Sequence, residues 1–241
     1  MAGKRDEYRR ALQSLGSSDW DAYLQSRSGL PGPRANLELV EVAGDLAPAE
    51  VLWRWTSSHD EFLALCGTAG LGRFAVEDRK VLPRLQKLAA DPRWRVREGV
   101  AIALQRLGKR DMARLIREME SWAGGSAYVQ RAAAAGLCEP PLLKDPKQVR
   151  RVIAVLDRIT RSVAAARDRS SEEFRVLRLA LGYCWSVAAA ASPADGRAAM
   201  EPWLRSRDPD VRWIMKSNLG KSRMSALGAR WWASSLKAVS A

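Results

Sequence analysis

The chain has 241 residues, of which 47% are hydrophobic and 28% are charged, and its formal net charge is +13. This composition is that of a folded chain and excludes bulk disorder, and the length allows one or two domains. Alanine occurs 38 times, against five isoleucines and three threonines. Because β-branched residues concentrate in sheets, the balance predicts an all-α protein.

Apolar residues recur at helical spacing along most of the chain, and turn signals separate the predicted helices into pairs. The turn signals are Asp91-Pro92, Gly124-Gly125 and Asp208-Pro209, and Ser171 is a predicted N-cap. Apolar stripes at 82–89 and 96–107 form the first of these pairs. The helices predicted after them cover 111–122, 128–137, 147–166, 172–191, 197–204 and 211–219.

The predicted helix pairs are also related in sequence. A turn aspartate, a valine–arginine pair and an alanine-rich second helix recur; Arg97 and Arg131 are 34 residues apart, as are Arg178 and Arg212. These features are typical of HEAT-like repeats and predict a curved α-solenoid of stacked antiparallel helical hairpins. We expect one domain over 1–241, with an irregular N-terminal cap (1–42), hairpin repeats (43–222) and a C-terminal tail or helix (223–241).

Cysteine and histidine usage excludes several kinds of site. The three cysteines, Cys66, Cys138 and Cys184, lie far apart, and His59 is the only histidine. A disulfide framework, a zinc site and catalysis by a histidine cluster are therefore not expected. Within Ser58-His59-Asp60, either Ser58 or Asp60 is interpreted as a helix cap. We expect no metal and no cofactor.

No targeting or membrane segment is expected. The first seven residues, Met-Ala-Gly-Lys-Arg-Asp-Glu, contain no apolar stretch of the signal-peptide type. The longest uncharged run, 179–194, has 16 residues, which is shorter than the roughly 20 needed to span a bilayer. It is interpreted as a buried helix, and the predicted location is the cytoplasm.

Basic residues concentrate in two zones. Residues 144–169 contain eight basic and three acidic residues, and residues 205–237 contain eight and two. Two such zones on either side of an almost uncharged helix predict a polyanionic partner, with duplex DNA as the leading expectation. The alternatives are a solvated basic surface, an anionic membrane or an acidic protein.

Trp94 and Glu98 have the i, i+4 spacing that places two side chains on one helical face. Val96 and Val100 are expected on the opposite, buried face, so the pair is predicted to point outward. An indole face beside a carboxylate suits a cationic aromatic ring. The alternative is that Trp94 packs on a neighbouring hairpin while Glu98 pairs with Arg95 or Arg131.

Two further elements are candidates for contacts to a ligand. Turn aspartates are available to Arg97 (Asp91) and Arg212 (Asp208) but not to the equivalent Arg131, which favours a phosphate contact for Arg131. In Gly182-Tyr183-Cys184-Trp185 the two aromatic residues cannot share one core stripe, so one of them is expected to reach the surface, where an aromatic ring suits nucleotide stacking. Whether Tyr183 or Trp185 reaches the surface stays open, because each ring could instead pack in the core.

These motifs resemble those of the AlkD-like DNA glycosylases, a superfamily of HEAT-like-repeat alkylation-repair proteins. The similarity runs from about Trp20 to Leu219, and the early stretch Gly29-Leu-Pro-Gly-Pro-Arg34 is loosely similar to the family's N-terminal loop. Trp94-x-x-x-Glu98 corresponds to the family's Trp-x-x-x-Asp. Val129-Gln-Arg-Ala-Ala133 resembles its Leu-Gln-Arg-Ala-Ala, and Leu181-Gly-Tyr183 resembles its Ile-Gly-Trp.

The resemblance implies binding of duplex DNA and hydrolysis of the N-glycosidic bond of N3- or N7-alkylated purines, with no cofactor. It assigns catalysis to Glu98 and contacts to the lesion and its sugar to Trp94 and Tyr183, with Trp185 as a further candidate. Contacts to the DNA backbone are expected from Arg131, Arg95, Lys216 and Lys221. The alternatives are a non-catalytic HEAT-like DNA-binding protein and a protein-interaction scaffold; a monomer is expected, and a protein partner stays open.

Overall fold

The computed structural model describes residues 3–16 and 18–240 of the chain. All regular structure within these residues is helical, and none of them forms a strand, so the all-α prediction is confirmed. Residue contacts divide the chain into two compact units, one ending at Leu107 and the other beginning at Gly108. Residues 1, 2, 17 and 241 of the predicted cap and tail lie outside the described residues.

The first unit is built around one buried helix. Every residue of α5 from Phe62 to Leu71 is buried, and α2, α3, α4 and α6 pack against it. The segment predicted to be an irregular cap contains three helical stretches, so its predicted irregularity is wrong. The helices are α1 (Lys4–Ser14), α2 (Trp20–Ser26), α3 (Leu37–Leu46), α4 (Ala49–Trp55), α5 (Glu61–Leu71), α6 (Val81–Leu88) and α7 (Trp94–Arg110), with a 3-10 helix at Gly72–Phe74.

The second unit is built around α11, which contacts most other helices of the unit. Its buried residues include Phe174, Leu181 and Trp185. The α-helices are α8 (Met112–Trp122), α9 (Ala127–Leu137), α10 (Pro146–Ala164), α11 (Glu172–Ala191), α12 (Pro193–Leu204), α13 (Pro209–Leu219) and α14 (Ala229–Ser240), and 3-10 helices cover Pro140–Leu142 and Ser222–Leu227. α14 lies within the segment predicted as a tail or helix.

Capping side chains explain where several helices begin. Asp60, Ser171 and Asp208 accept hydrogen bonds from the backbone amides of Leu63 (2.8 Å), Phe174 (3.3 Å) and Val211 (3.0 Å) respectively. Each cap satisfies an amide that has no partner within the helix. The predicted caps at Ser171 and at the Ser58–Asp60 turn are confirmed, the second at Asp60.

Each of the two turn aspartates pairs with an arginine that the sequence did not suggest. Asp91 pairs with Arg93 (2.9 Å), and Asp208 pairs with Arg169 (2.6 Å). Arg97 donates to the backbone carbonyl oxygen of Asp91 (2.8 Å), and Arg212 donates to that of Val239 (3.4 Å). The prediction that Arg212 pairs with the Asp208 carboxylate is wrong, because Arg169 occupies that carboxylate.

By length and composition alone, α11 is long and apolar enough to cross a membrane, with a mean hydropathy of 1.2 over its most apolar window. Within the structure, 56% of that window is buried. A helix of this kind is typical of a protein core, which is where the sequence places the uncharged run at 179–194.

Candidate nucleic-acid interface

Trp94 begins α7 and is 50% exposed. Val96 and Val100 on the same helix are fully buried, which explains why the indole points outward, as predicted. The guanidinium carbon of Arg95 lies 4.6 Å from the centre of the Trp94 ring, within the range of a cation–π contact. The indole is therefore at the surface with a cation of the same chain beside it.

Arg95 itself is held inside the first unit. Its guanidinium donates to the Glu61 carboxylate and to the Gly32 carbonyl oxygen, each at 3.0 Å, and its side chain is only 13% exposed. Its Nε is buried and has no hydrogen-bond partner. The structure thus places Arg95 in a packing role, instead of on the open surface expected for contact with a DNA backbone. It joins the segment around Gly32 to α5 and α7.

Glu98 lies one helical turn after Trp94 and is half-buried. The i, i+4 spacing on one continuous helix puts the carboxylate on the same side of α7 as the indole. Arg97, directly before it, is buried. The first unit therefore presents one exposed aromatic ring with a carboxylate a turn away.

Tyr183 is the corresponding exposed aromatic residue of the second unit, at 44% exposure. Nη2 of Arg223 donates to its hydroxyl oxygen at 2.8 Å, and the Arg223 guanidinium carbon lies 4.7 Å from the ring centre. The Lys221 Nζ lies 5.9 Å from the same centre. Leu179, one turn earlier on α11, is 58% exposed. We call Leu179, Tyr183, Lys221 and Arg223 the Tyr183 surface.

The packing of α11 on α13 explains why Tyr183 points outward. A Cβ at Gly182 would lie 2.8 Å from the Trp213 ring, so only glycine allows this close approach. The Arg178 guanidinium covers that ring at 3.9 Å and pairs with Asp210 at 2.7 Å. With Gly182 directed at α13, the neighbouring Tyr183 is turned away from the core.

Trp185 is fully buried, so the surface role predicted for it is wrong. Its indole nitrogen donates to the Thr160 hydroxyl oxygen at 2.9 Å, and the Thr160 hydroxyl donates to the Leu156 carbonyl oxygen at 2.8 Å. Two residues along a helix are about 200° apart around its axis. Tyr183 and Trp185 therefore face opposite sides of α11, and the structure assigns the surface to Tyr183.

The remaining predicted DNA contacts lie in the second unit. Lys216, on α13, is exposed, and Lys221 follows that helix; neither pairs with a carboxylate among the residues that the structure describes. Arg131 lies on α9 and is half-buried. Trp94 and Glu98 belong to the first unit, so their convergence with these residues on one surface stays a prediction.

Sequence reasoning missed Arg223 and Leu179. One signal for Arg223 was available, because no aspartate or glutamate occurs from Val211 to the end of the chain, whereas six lysines and arginines do. A cation in such a stretch has no nearby carboxylate in sequence to neutralise it. The contact between Arg223 and Tyr183 spans 40 positions, which no local pattern reveals.

The positive charge is concentrated in the second unit. From Gly108 onward the chain has 24 lysines and arginines against 13 aspartates and glutamates, a net charge of +11; through Leu107 it has 16 against 14, a net charge of +2. The excess of cations therefore lies on the unit that carries the Tyr183 surface.

No group of three or more histidine, cysteine, aspartate or glutamate side chains that could hold a metal ion occurs within residues 3–16 and 18–240. No family model matches the chain, and neither a curated protein nor a solved structure matches it.

Proposed function

We propose that this protein is a HEAT-like α-solenoid of the alkylation-repair type that binds duplex DNA. The short turns between successive helices and the two 34-residue spacings between equivalent arginines support the repeat architecture. The observation that carries the binding proposal is the net charge of +11 on the second unit, with Lys216, Lys221 and Arg223 exposed or half-buried and unpaired with any described carboxylate.

Unneutralised cations are what a phosphate backbone requires. Each phosphate that a lysine or arginine neutralises releases condensed counterions from duplex DNA, so the affinity falls as salt rises. Cations that already pair with carboxylates contribute less to the free energy of DNA binding, because the ion pair within the protein must first be broken. Lys216 and Lys221 carry no such cost, which makes them the first residues to test.

The test is the salt dependence of duplex binding, measured by fluorescence anisotropy. Wild-type protein should bind a 20-base-pair duplex with an affinity that falls steeply between 50 and 200 mM salt. Replacing Lys216 and Lys221 by glutamine should weaken binding at low salt and reduce the slope of log K against log[salt] by about two, roughly 0.9 for each lost phosphate contact.

The matched control replaces Lys80 and Lys87, two exposed lysines of the first unit, by glutamine. The control pair should leave the slope nearly unchanged. Equal effects of the two pairs, or no duplex binding by wild-type protein at any salt, would contradict the proposal; the second result would favour the protein-scaffold alternative.

A second candidate function, base excision, is favoured by Trp94 and Glu98. An N-alkylated purine is cationic, so the exposed part of the Trp94 indole that Arg95 does not cover attracts it. Its positive charge also makes the base a good leaving group. In the proposed step the bond from C1′ to the base nitrogen breaks and the base departs neutral with the bonding electrons. The Glu98 carboxylate stabilises the positive charge at C1′ and orients water, whose oxygen bonds to C1′ and whose proton passes to solvent.

Release of free 7-methylguanine from a methylated duplex tests this step. Wild-type protein should release the base, and Glu98→Gln should reduce release by at least about 100-fold with little change in duplex affinity, because the amide carries no charge. The exposed Glu50→Gln variant should behave as wild type. Duplex binding without base release by wild-type protein would leave a non-catalytic DNA-binding protein.

A further inference from the structure

The Tyr183 surface contains two apolar groups that duplex binding alone does not explain. Leu179 and Tyr183 are exposed by 58% and 44% respectively and lie one turn apart on α11. Both side chains belong to a helix whose other large apolar residues are mostly buried. The part of an aromatic ring that stays open to solvent gains free energy when an apolar or π-surface covers it.

The ring of Tyr183 is also held in place. Its hydroxyl oxygen accepts a hydrogen bond from Arg223 at 2.8 Å, and its backbone is fixed where Gly182 packs on Trp213. A ring that is already oriented loses little conformational freedom on binding, which favours the use of its face as a stacking platform.

The charges beside the ring define the chemistry of the partner. Lys221 and Arg223 lie within 6 Å of the Tyr183 ring (5.9 Å and 4.7 Å), and neither pairs with a carboxylate in the described part of the chain. A ligand that offers a flat π-face together with an anionic group next to it matches this arrangement. In duplex DNA the base faces are stacked on each other, whereas an unpaired nucleotide presents both its base face and its phosphate.

We propose that the Tyr183 surface binds unpaired nucleotides, with a base stacked on Tyr183 and the adjoining phosphates held by Lys221 and Arg223. This inference rests on the proposed nucleic-acid binding and specifies the form of the ligand at this surface. It gives the protein a preference for single-stranded or unpaired segments that is separate from its affinity for the duplex backbone. Leu179 contacts the edge of the same base or of its neighbour.

The experiment compares a labelled 12-nucleotide single strand with a 12-base-pair duplex by fluorescence anisotropy. Tyr183→Ala should weaken single-strand binding by about tenfold, the usual loss for one stacked base, and should weaken duplex binding by a smaller factor, because the base faces of a duplex are already stacked on each other. Tyr183→Phe keeps the ring and should retain most of the single-strand affinity. Leu37→Ala removes an exposed leucine from the first unit (54% exposed) and should have no effect.

Thermal unfolding of each variant checks that the fold is intact, which is expected for these exposed positions. Unchanged single-strand affinity in Tyr183→Ala overturns the inference while leaving duplex binding, and hence the proposed function, in place. No binding of either nucleic acid by wild-type protein overturns both. Binding of vesicles with anionic lipids that depends on Tyr183, with no such dependence for the single strand, assigns the surface to a membrane and also overturns the inference.

Discussion

Tyr183 and Trp185 show that the position of a residue around a helix determines whether its side chain is buried or exposed. Both are large aromatic residues in the same uncharged stretch, yet one is 44% exposed and the other is fully buried. The sequence shows that they cannot share a stripe, because two positions differ by about 200° around a helix. Which ring is buried depends on Thr160 of α10 and Trp213 of α13, and these long-range contacts have no local signature.

The two rings should therefore respond differently to substitution. Trp185→Ala should lower the free energy of unfolding by about 3–5 kcal/mol through loss of buried volume. Trp185→Phe should lower it by about 1–2 kcal/mol, because the hydrogen bond to Thr160 is lost. Tyr183→Ala should change it by no more than about 0.5 kcal/mol, as for other surface positions. Urea unfolding measures all three, and a larger loss for Tyr183→Ala than for Trp185→Ala would contradict the assignment.

At the scale of elements, helix starts were the most predictable feature and pairings between elements the least. Ser171 and Asp208-Pro209 mark the starts of α11 and α13 by local chemistry that the sequence displays. The partner of the Asp208 carboxylate, Arg169, comes from the segment before α11, 39 positions away. Several arginines were available to each aspartate, and only the packing of the helices selects among them.

Asp208 should make stability depend on pH. Burial alone would raise the pKa of Asp208, but the hydrogen bonds from Arg169 and from the backbone amide of Val211 lower it below the ordinary value of 3.8. Because the folded-state pKa is depressed, the carboxylate stabilises the fold fully above about pH 4, and this contribution is lost as the pH falls through the lower, folded-state pKa.

Asp208→Asn retains a side-chain oxygen that caps α13 but removes the charge. At pH 7 the variant should be less stable than wild type by about 1 kcal/mol, and the difference should disappear as the pH falls well below 4. Urea unfolding at several pH values gives the comparison, with Glu50→Gln as an exposed control. A difference that persists unchanged at low pH would show that the ion pair is not its source.

For the whole molecule, composition predicted the helical class correctly, whereas the division of the chain at Leu107 and Gly108 was not foreseen. Continuous helical periodicity hides such a division, because each predicted helix pair resembles the next. The uneven charge was partly visible: both basic zones identified in the sequence, 144–169 and 205–237, fall in the second unit. Their position indicates that the second unit carries nearly all of the excess positive charge.

A net charge of +11 on one unit should weaken its folded state at low ionic strength, since like charges repel. Raising the KCl concentration from 20 to 300 mM shortens the screening length from roughly 20 Å to roughly 6 Å and should raise the apparent Tm by a few degrees. Replacing Lys144, Lys147, Lys216 and Lys221 by glutamine should reduce this rise. A Tm that is independent of salt in the unmodified protein would argue against significant repulsion.

All three cysteines, Cys66, Cys138 and Cys184, are free and buried, and burial raises the pKa of the Cys66 and Cys138 thiols above their ordinary value. These thiols therefore form little thiolate, and burial also limits the access of thiol reagents to them. A spectroscopic label directed at thiols would consequently react with an introduced cysteine ahead of the native ones. Ser222→Cys beside the Tyr183 surface, combined with His59→Cys in the first unit, would accept a donor and an acceptor dye. Energy transfer between the dyes would then measure the separation of positions 59 and 222 in solution, without altering any native thiol.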